Sequence, residues 1–304
     1  MILVTGATGC VGKAVVERLS STRHTLKLLW HWNHEHPVPR RVSIVGGDVR
    51  NVQSLVDAME DVDTVIHLAS LRRDIGGNHA EDVNATGTRN IVDAAKKAKV
   101  SRLITVGCLG AEVRSAYPYL RSIGKAEEIV RSSGLNFTVL KSAVVYGEGD
   151  WLTSWLSGIA TGMPFLMPLP HRGETRLQPI WVGDLAACIE RCLNTRSTFR
   201  QVVPVGGPQS ITLAEIAQIT LGATKTKRRF VRVPTSLTHQ ISQFLAHYHG
   251  SLTEMEIYAL SYNRTTEIGS VHRMFGFAPA RMPTKLAYLR PDREPRPLPV
   301  RFAR

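Results

Sequence analysis

Tyr119, in the segment YPYLRSIGKAE at 117–127, carries a hydroxyl that could act as a general acid or base. A tyrosine hydroxyl has a pKa of about 10, so it is a poor base at neutral pH unless a nearby cation lowers that pKa. A lysine four residues further on would lie on the same face of a helix. That position holds Ile123, and Lys125 lies about 240° around the helix from Tyr119. The segment therefore keeps the tyrosine of an acid–base pair without a matching cation.

Three glycines near the N-terminus form a candidate nucleotide site. They have G-x-x-G-x-x-G spacing, directly after an apolar strand and at the start of a helix. We expect Gly6 to make a tight turn, Gly9 to let a pyrophosphate approach the helix N-terminus, and Gly12 to pack the helix on the strand. The pattern predicts cofactor binding by Gly6, Ala7, Thr8, Gly9, Cys10, Val11 and Gly12.

The end of the second strand decides between NAD and NADP. NAD sites place a carboxylate there for the ribose 2′-hydroxyl, and NADP sites favour a cation for the 2′-phosphate. Here the strand runs into His31, and the first carboxylate, Glu35, comes late. His31, or Arg40 or Arg41 folding back, would hold the 2′-phosphate, so the sequence favours NADP(H) over NAD(H).

Residues at other strand ends complete the predicted cofactor site. Asp48 follows the third strand, where its side chain or the amide of Val49 would meet the adenine amino group. Leu68 and Ala69 follow the fourth strand, beside the ribose and pyrophosphate. Lys141, at the end of the sixth strand, is expected to face the nicotinamide end of the cofactor.

Alternating apolar runs and helical periodicities position these residues. Such βα units predict an α/β fold with a doubly wound parallel Rossmann sheet and a smaller, mostly helical C-terminal lobe. We expect an NAD(P)-binding domain at 1–150, a C-terminal lobe interleaved with it at 151–290, and an extended basic tail at 291–304.

Several elements of the C-terminal lobe are also predicted. QVVPVGG at 201–207 is expected to return to the sheet edge as a strand. Helices are expected at 236–249 and 252–262. Asp184 is expected to cap one further helix, and Thr212 to cap another in a capping box with Glu215.

Longer segments add up to a family resemblance. The chain resembles the atypical or extended short-chain dehydrogenase/reductases, in the group that includes the nucleotide-binding accessory subunit of respiratory complex I and the NmrA-like proteins. The segments that carry the resemblance are TGATGCVG, GGDVRN, HLAS, DVNATGTRNIVDAAKKAKV, YLRS…AEEIVRSSGLNFTVLKSAVVYGEGD, QPIWVGDLA and VGGPQSITLAEIA.

The resemblance also implies a catalytic set of Ser or Thr, Tyr and Lys with Y-x-x-x-K spacing. Tyr119 matches the family tyrosine, whereas Ile123 stands where the lysine belongs. The serine position falls on or near Gly107 and Cys108, and a thiol is a weak hydrogen-bond donor. Tyr119 and Cys108 are therefore the candidate catalytic residues of a degenerate site.

Charge and composition limit the possible partners. Of the 304 residues 38 are Lys or Arg and 25 are Asp or Glu, which gives a net charge of +13, with basic clusters at 225–232 and 290–304. These are either a solvated surface or a contact with an acidic protein or an anionic membrane, and no nucleic-acid motif accompanies them.

No apolar run approaches the ~20 residues that span a bilayer, so we expect a cytoplasmic or organelle-matrix protein, soluble or membrane-associated. Cys188 and Cys192 lack further ligands at suitable spacing, so no metal site is expected.

Three functions fit these features. The first is an NAD(P)(H)-binding protein, non-catalytic or weakly catalytic, that assembles or stabilises a larger complex such as a respiratory complex. The second is an NAD(P)H-dependent reductase or quinone oxidoreductase with a non-standard active site. The third is a regulator that senses the ratio of NADP to NADPH. Turnover distinguishes the second from the others.

Overall fold

The computed structural model describes residues 1–31, 41–163, 165–170, 173–233, 260 and 262–290. Their strands are β1 (Ile2–Thr5), β2 (Leu26–Trp30), β3 (Val42–Gly46), β4 (Thr64–His67), β5 (Arg102–Cys108), β6 (Phe137–Ser142), β7 (Val145–Tyr146), β8 (Leu166–Pro170), β9 (Arg176–Leu177), β10 (Ile180–Trp181), β11 (Gln201–Val205), β12 (Ile211–Thr212) and β13 (Arg229–Val233). The helices are α1 (Cys10–Ser20), α2 (Val52–Ala58), α3 (Gly87–Lys97), α4 (Pro118–Arg131), α5 (Trp151–Gly162), α6 (Val182–Cys192), α7 (Leu213–Ala223) and α8 (Ser270–Phe275).

A seven-stranded parallel sheet positions the candidate site. Its strand order is β11–β6–β5–β4–β1–β2–β3, so the predicted doubly wound sheet is confirmed and the 201–207 strand returns to its edge. All four residues of β1 are buried, as expected for a strand that is covered on both faces. The winding reverses at β1, which pairs with β4 on one side and β2 on the other. Ligands of such sheets bind beyond the carboxyl ends of the strands at this reversal.

Local signals set the helix boundaries beside the sheet. The side-chain oxygen of Asn51 accepts from two backbone amides in the first turn of α2. A π-helical turn, Asp82–Thr86, leads directly into α3. Pro118 occupies the first turn of α4, where its missing amide proton costs no hydrogen bond. Helix α4 therefore includes both Tyr119 and Ile123 in one continuous segment.

The chain divides into two compact units. Unit 1 comprises Met1–Ser142 and Leu185–Pro204, and unit 2 comprises Ala143–Asp184 and the described residues from Val205 onward. The core of unit 1 lies between the sheet and its helices. The core of unit 2 forms around α5 and α7, with Tyr146, Leu156 and Leu213 fully buried.

Two predicted caps in the second half have different outcomes. The Thr212–Glu215 capping box is confirmed, because each side chain bonds the other residue's backbone amide. The prediction that Asp184 caps a helix is wrong, since α6 already begins at Val182. The carboxylate of Asp184 instead accepts a hydrogen bond from the amide of Ala280 at 2.7 Å.

The extended tail at 291–304, the helix expected at 236–249 and residues 252–259 of the helix expected at 252–262 fall outside the described residues. Of that last segment the structure describes only residues 260 and 262, neither of which is helical. Within the described part of the chain, no helix is both long enough and apolar enough to cross a membrane.

Candidate functional site

Two of the three loop glycines are required by the packing of the protein itself. Gly6 has φ +67°, and a Cβ there would lie 2.5 Å from the amide nitrogen of Ala69. A Cβ on Gly12 would lie 2.1 Å from the carbonyl oxygen of Gly6. Both distances are impossible contacts, so the turn and the close approach of α1 account for these two glycines.

Gly9 has no such requirement from the fold. Its φ of −72° and ψ of 168° suit any residue, and a Cβ would meet only the oxygen of Gly6, at 3.4 Å. Gly9 is exposed and precedes α1, whose first turn has neither a side-chain cap nor an acidic residue. The N-terminus of a helix favours an anion, because the first amides point out of the helix and the helix dipole is positive there. An exposed glycine directly before these amides has no side chain, so it leaves room for a pyrophosphate to approach them closely.

The remaining predicted cofactor residues lie at the carboxyl ends of neighbouring strands. The sheet order places the ends of β2 and β3 on one side of the glycine loop and those of β4, β5 and β6 on the other. The loop itself begins directly after β1. From these ends come His31, Asp48, Val49, Leu68, Ala69, Cys108 and Lys141.

The structure brings His31 and Asp48 together. Nδ1 of His31 lies 3.4 Å from the carboxylate of Asp48, which also accepts from the guanidinium of Arg50 at 2.6 Å. Burial alone would raise the pKa of Asp48, but the hydrogen bonds and charge of Arg50 outweigh burial and hold that pKa below its usual value. Arg50 is thus a cation at this end of the sheet that sequence reasoning missed, although it stands in GGDVRN directly beside Asp48.

Arg41, one of the arginines expected to reach the 2′-phosphate, lies elsewhere. Its carbonyl accepts from the amide of Leu26 at the start of β2, and its guanidinium faces the carbonyl of Arg23. Arg41 therefore lies at the end of the sheet where the strands begin. That end is one strand length, about 15 Å, from His31. The expectation for Arg41 is wrong, and Arg40 lies outside the described residues.

A chain of buried hydrogen bonds runs behind the glycine loop. The hydroxyl of Thr88 donates to the carbonyl of Asn84 at 2.6 Å, so it must accept from Nε2–H of His67 at 3.0 Å. Nδ1 of His67 then accepts from the hydroxyl of Thr5 at 2.7 Å, which in turn accepts from the amide of Leu68. The donor order fixes His67 as the neutral Nε2–H tautomer. Burial lowers its pKa to about 4.

The same chain continues to α4 through Asn84. Its side-chain amide exchanges two hydrogen bonds with the backbone of Leu71, both at 2.8 Å, and donates to the hydroxyl of Ser122 at 2.9 Å. That hydroxyl donates to the carbonyl of Tyr119 at 2.8 Å. Asn84 and Ser122 were missed as site residues. The i, i+4 spacing of Asn84 and Thr88 is the signal that would have placed both on one helical face.

The cations nearest Tyr119 along α4 are engaged elsewhere. Ile123, one turn beyond Tyr119, is only 6% exposed. Lys125 Nζ lies 2.6 Å from the carboxylate of Glu81. Arg121 turns back and donates to the carbonyl of Ser115 at 3.0 Å.

Lys141 has protein partners of its own. Its Nζ lies 3.1 Å from the largely buried carboxylate of Glu127 on α4 and donates to the carbonyl of Ala111 at 3.2 Å. Lys141 is the register partner of Gly107 on β5. Gly107, Ile123 and Glu127 all line a cavity of about 30 Å³, the size of a single water molecule. The geometry can hold an anionic ligand at the loop, but it gives Tyr119 no lysine one helical turn away.

Comparisons with known proteins agree with this geometry. A family model described as NAD(P)H-binding matches residues 6–150. A mitochondrial protein of Arabidopsis thaliana, NADH dehydrogenase [ubiquinone] 1 alpha subcomplex subunit 9, is 28% identical over 76% of this chain. The chain spans only 60% of the length of that plant protein.

Two further relatives differ in their named roles. The photosystem II assembly factor Ycf39 of Synechocystis is 23% identical, over 95% of this chain and 89% of its own length. An NAD(P)H azoreductase of Xenophilus azovorans is 28% identical, over 77% of each chain.

The fold itself has solved counterparts. A nucleoside-diphosphate-sugar epimerase from Staphylococcus aureus superimposes with a TM-score of 0.76, at 19% identity, over 94% of this chain and 99% of the other. The parallel sheet, the glycine loop and the NAD(P)H-binding family match identify a nicotinamide dinucleotide-binding protein. With these similarities, the chain resembles the atypical short-chain dehydrogenase/reductases and the NmrA-like NAD(P)-binding proteins.

Proposed function

We propose that this protein retains NADP(H) as a bound ligand, without turnover by a tyrosine–lysine relay, and helps to assemble or stabilise a larger protein complex. One observation carries the proposal: the position one helical turn beyond Tyr119 holds the buried, uncharged side chain of Ile123. An isoleucine cannot lower the pKa of a tyrosine hydroxyl and cannot donate to a ribose hydroxyl.

The nearby cations support this interpretation. For Lys125 to serve Tyr119, its ion pair with Glu81 would have to break and its side chain would have to reach about 120° around the helix, which is the shorter way between the two positions. Lys141 would have to leave Glu127, whose carboxylate would then be buried without a counter-ion. The ion pair of Lys125 is exposed and weak, so helix geometry is what keeps Lys125 from Tyr119, whereas the loss of the Lys141 pair would leave a largely buried carboxylate without a counter-ion. The arrangement therefore favours binding over acid–base chemistry.

The preference for NADP(H) rests on the cluster at the ends of β2 and β3. His31 is about half exposed and Arg50 about one third exposed, so both have surface available to a 2′-phosphate. Asp48 is already hydrogen-bonded to Arg50, so it is less available to a ribose 2′-hydroxyl. The proposed 2′-phosphate site therefore consists of His31 and Arg50.

The role in a complex is supported by the named roles of two relatives. One is named as part of a dehydrogenase subcomplex and the other as an assembly factor. The net charge of +13 suits association with acidic partners. Nothing in the Tyr119 region has to react for such a role, which asks only for a stable, nucleotide-bound fold.

A reductase is the second candidate, because the azoreductase relative matches this chain at 28% identity. Hydride transfer is chemistry that the nicotinamide itself supplies, and a protein can support it by positioning alone. In that case Tyr119 would be dispensable while the glycine loop would be essential.

Two measurements test the bound nucleotide and the absence of turnover, and a third tests the role in assembly. Tryptophan quenching at fixed salt would follow titration with NADPH and with NADH, and NADPH oxidation would be followed with quinone and azo acceptors. We expect saturable binding, tighter for NADPH, with no acceptor-dependent oxidation above the rate without protein. Multiple turnovers would establish the reductase instead, and absence of binding would reject both candidates. Deletion of the gene, followed by native electrophoresis of the cell's membrane complexes, tests the role in assembly.

A further inference from the structure

The ribbon formed by β8 and β13 in unit 2 exposes apolar side chains at the end where both strands begin. The two strands pair in parallel, with Arg229 opposite Leu166 and Phe230 opposite Met167. Nine large apolar residues are exposed in the described part of the chain, and four of them lie on or beside this ribbon. These four are Phe165 at 78% exposure, Leu166 at 40%, Phe230 at 38% and Val231 at 39%.

Cations precede the apolar residues of β13 in sequence. Lys225, Lys227 and Arg229 are all exposed on the segment that leads into β13. Neither 163–170 nor 221–233 contains an aspartate or glutamate. The ribbon therefore presents an apolar surface with positive charge and no acidic residue within either of its own segments.

Arg228 and the buried residues of β8 hold the ribbon against the rest of unit 2. The guanidinium of Arg228 donates to the carbonyls of Met163, at 2.8 Å, and Ala160, at the end of α5. Met167 and Leu169 are buried in the core of unit 2. By the strand register, Phe230 lies on the face of Met167, whereas Leu166 and Val231 lie on the opposite face. The exposed apolar side chains therefore share one end of the ribbon, and the rest of β8 is buried.

We propose that this ribbon docks unit 2 on an anionic membrane surface. Phe165, Leu166, Phe230 and Val231 would enter the boundary between headgroups and acyl chains, and Lys225, Lys227 and Arg229 would bind lipid phosphates. Apolar side chains edged by lysine and arginine are the combination that binds anionic bilayers from one side. The inference goes beyond the proposed function and does not require a bound nucleotide.

A protein partner fits this surface less well. The buried centres of protein interfaces are depleted in lysine, whereas two lysines lie beside the apolar residues here. An anionic bilayer carries phosphates across its whole surface, so it can bind several cations on one segment beside inserted apolar side chains.

Vesicle co-sedimentation of the full chain tests the proposal. Vesicles of phosphatidylcholine alone are compared with vesicles that also contain phosphatidylglycerol, at two salt concentrations. We expect binding only to the anionic vesicles, weakened by salt. Each cation near such a surface strengthens binding about fivefold, so Lys225→Gln/Lys227→Gln/Arg229→Gln should weaken it about 100-fold.

The apolar part has its own variant. Phe165→Ser/Phe230→Ser should weaken binding at least about tenfold, because the energy of burying two aromatic side chains is lost. Phe165 is 78% exposed, so Phe165→Ser alone should unfold at nearly the same temperature as the wild type. Phe230 is 38% exposed, so its replacement is expected to lower that temperature, and Phe165→Ser alone therefore keeps loss of binding separate from loss of stability.

Matched controls distinguish this surface from global charge. Lys96→Gln/Lys97→Gln/Lys99→Gln removes the same charge from exposed positions on and after α3, where no large apolar residue is exposed. It should change vesicle binding by less than about threefold. An equal loss in this control would overturn the proposal, as would equal binding to neutral vesicles.

Absence of vesicle binding together with an oligomer that the Phe165/Phe230 variant disrupts would assign the ribbon to a contact between copies instead. NADPH titration of the same variants should be unchanged, which keeps failure here separate from failure of the nucleotide proposal.

Discussion

The ammonium of Lys125 lies 2.6 Å from the carboxylate of Glu81, so the lysine nearest to the expected catalytic position joins α4 to the segment before α3. Its charge is directed away from Tyr119 by the helix geometry and is neutralised there by a partner. Packing and ion pairing therefore stabilise the helix that contains Tyr119, although no lysine lies one turn from the tyrosine.

Replacement of Tyr119 should have little effect on any reaction the protein supports. With no lysine one turn away to lower the pKa of the hydroxyl, Tyr119→Phe should leave NADPH oxidation with any accepted substrate within about twofold of wild type. General acid–base catalysis contributes at least about 100-fold, so its loss would be plain in steady-state rates. Such a loss would show that Tyr119 works without the lysine one turn on. Tyr117→Phe, two residues earlier, is the matched control.

Gly9→Val should abolish nucleotide binding while the protein stays folded. The backbone angles of Gly9 accept a side chain, and a Cβ would meet only the oxygen of Gly6. The added methyl groups would instead occupy the space expected for a pyrophosphate. We expect NADPH affinity to fall at least about 100-fold, from the loss of charge-assisted hydrogen bonds, with an unfolding temperature near that of wild type.

A second glycine provides the control for Gly9. A Cβ on Gly222 of α7 would meet nothing within 4 Å. Gly222→Val should therefore leave NADPH affinity unchanged. Unchanged affinity in Gly9→Val as well would show that the pyrophosphate does not lie at this loop.

His31→Asp should weaken NADPH binding more than NADH binding. The new carboxylate would stand beside Asp48 and repel a 2′-phosphate, whereas a 2′-hydroxyl can donate to it. We expect about a tenfold loss for NADPH, the effect of one charge-assisted contact, in parallel titrations with both nucleotides. Arg41→Gln is the control, because Arg41 lies at the opposite edge of the sheet and should affect neither affinity. Equal losses for both nucleotides would remove His31 from the proposed phosphate site.

The features that were predicted correctly depend on neighbours in sequence. The turn at Gly6, the strand before it and the helix after it lie within twenty residues, so composition and periodicity suffice. The capping box is set by Thr212 and Glu215, three residues apart. In contrast, Asp184 bonds the amide of Ala280, which lies 96 residues away and gives no local signal.

The features that were missed depend on which strand ends become neighbours. Arg41 precedes β3, so it lies at the end of the sheet where the strands begin, although it is only ten residues from His31 in sequence. Arg50 follows β3 and comes to the same side as His31 through their shared partner Asp48. The pairing of Lys141 with Glu127 depends on how β6 lies against α4, which helical periodicity does not specify.

The buried imidazole of His67 predicts a loss of stability in mild acid. Its pKa of about 4 in the folded protein lies below the 6.5 of an exposed histidine, so the unfolded chain binds the proton more tightly. The free energy of unfolding should therefore hold its value above pH 6.5 and fall by about 3 kcal/mol as the pH decreases to 4. In His67→Gln the amide can accept from Thr5 and donate to Thr88, but it does not titrate. Urea unfolding from pH 7 to pH 4 should show this decline in wild type and a smaller one in the variant, even if the variant is less stable at every pH. Parallel curves would mean that His67 is not the titrating group, and a nitrogen NMR spectrum showing an Nδ1–H tautomer would contradict the hydrogen-bond order from Thr5 to Asn84.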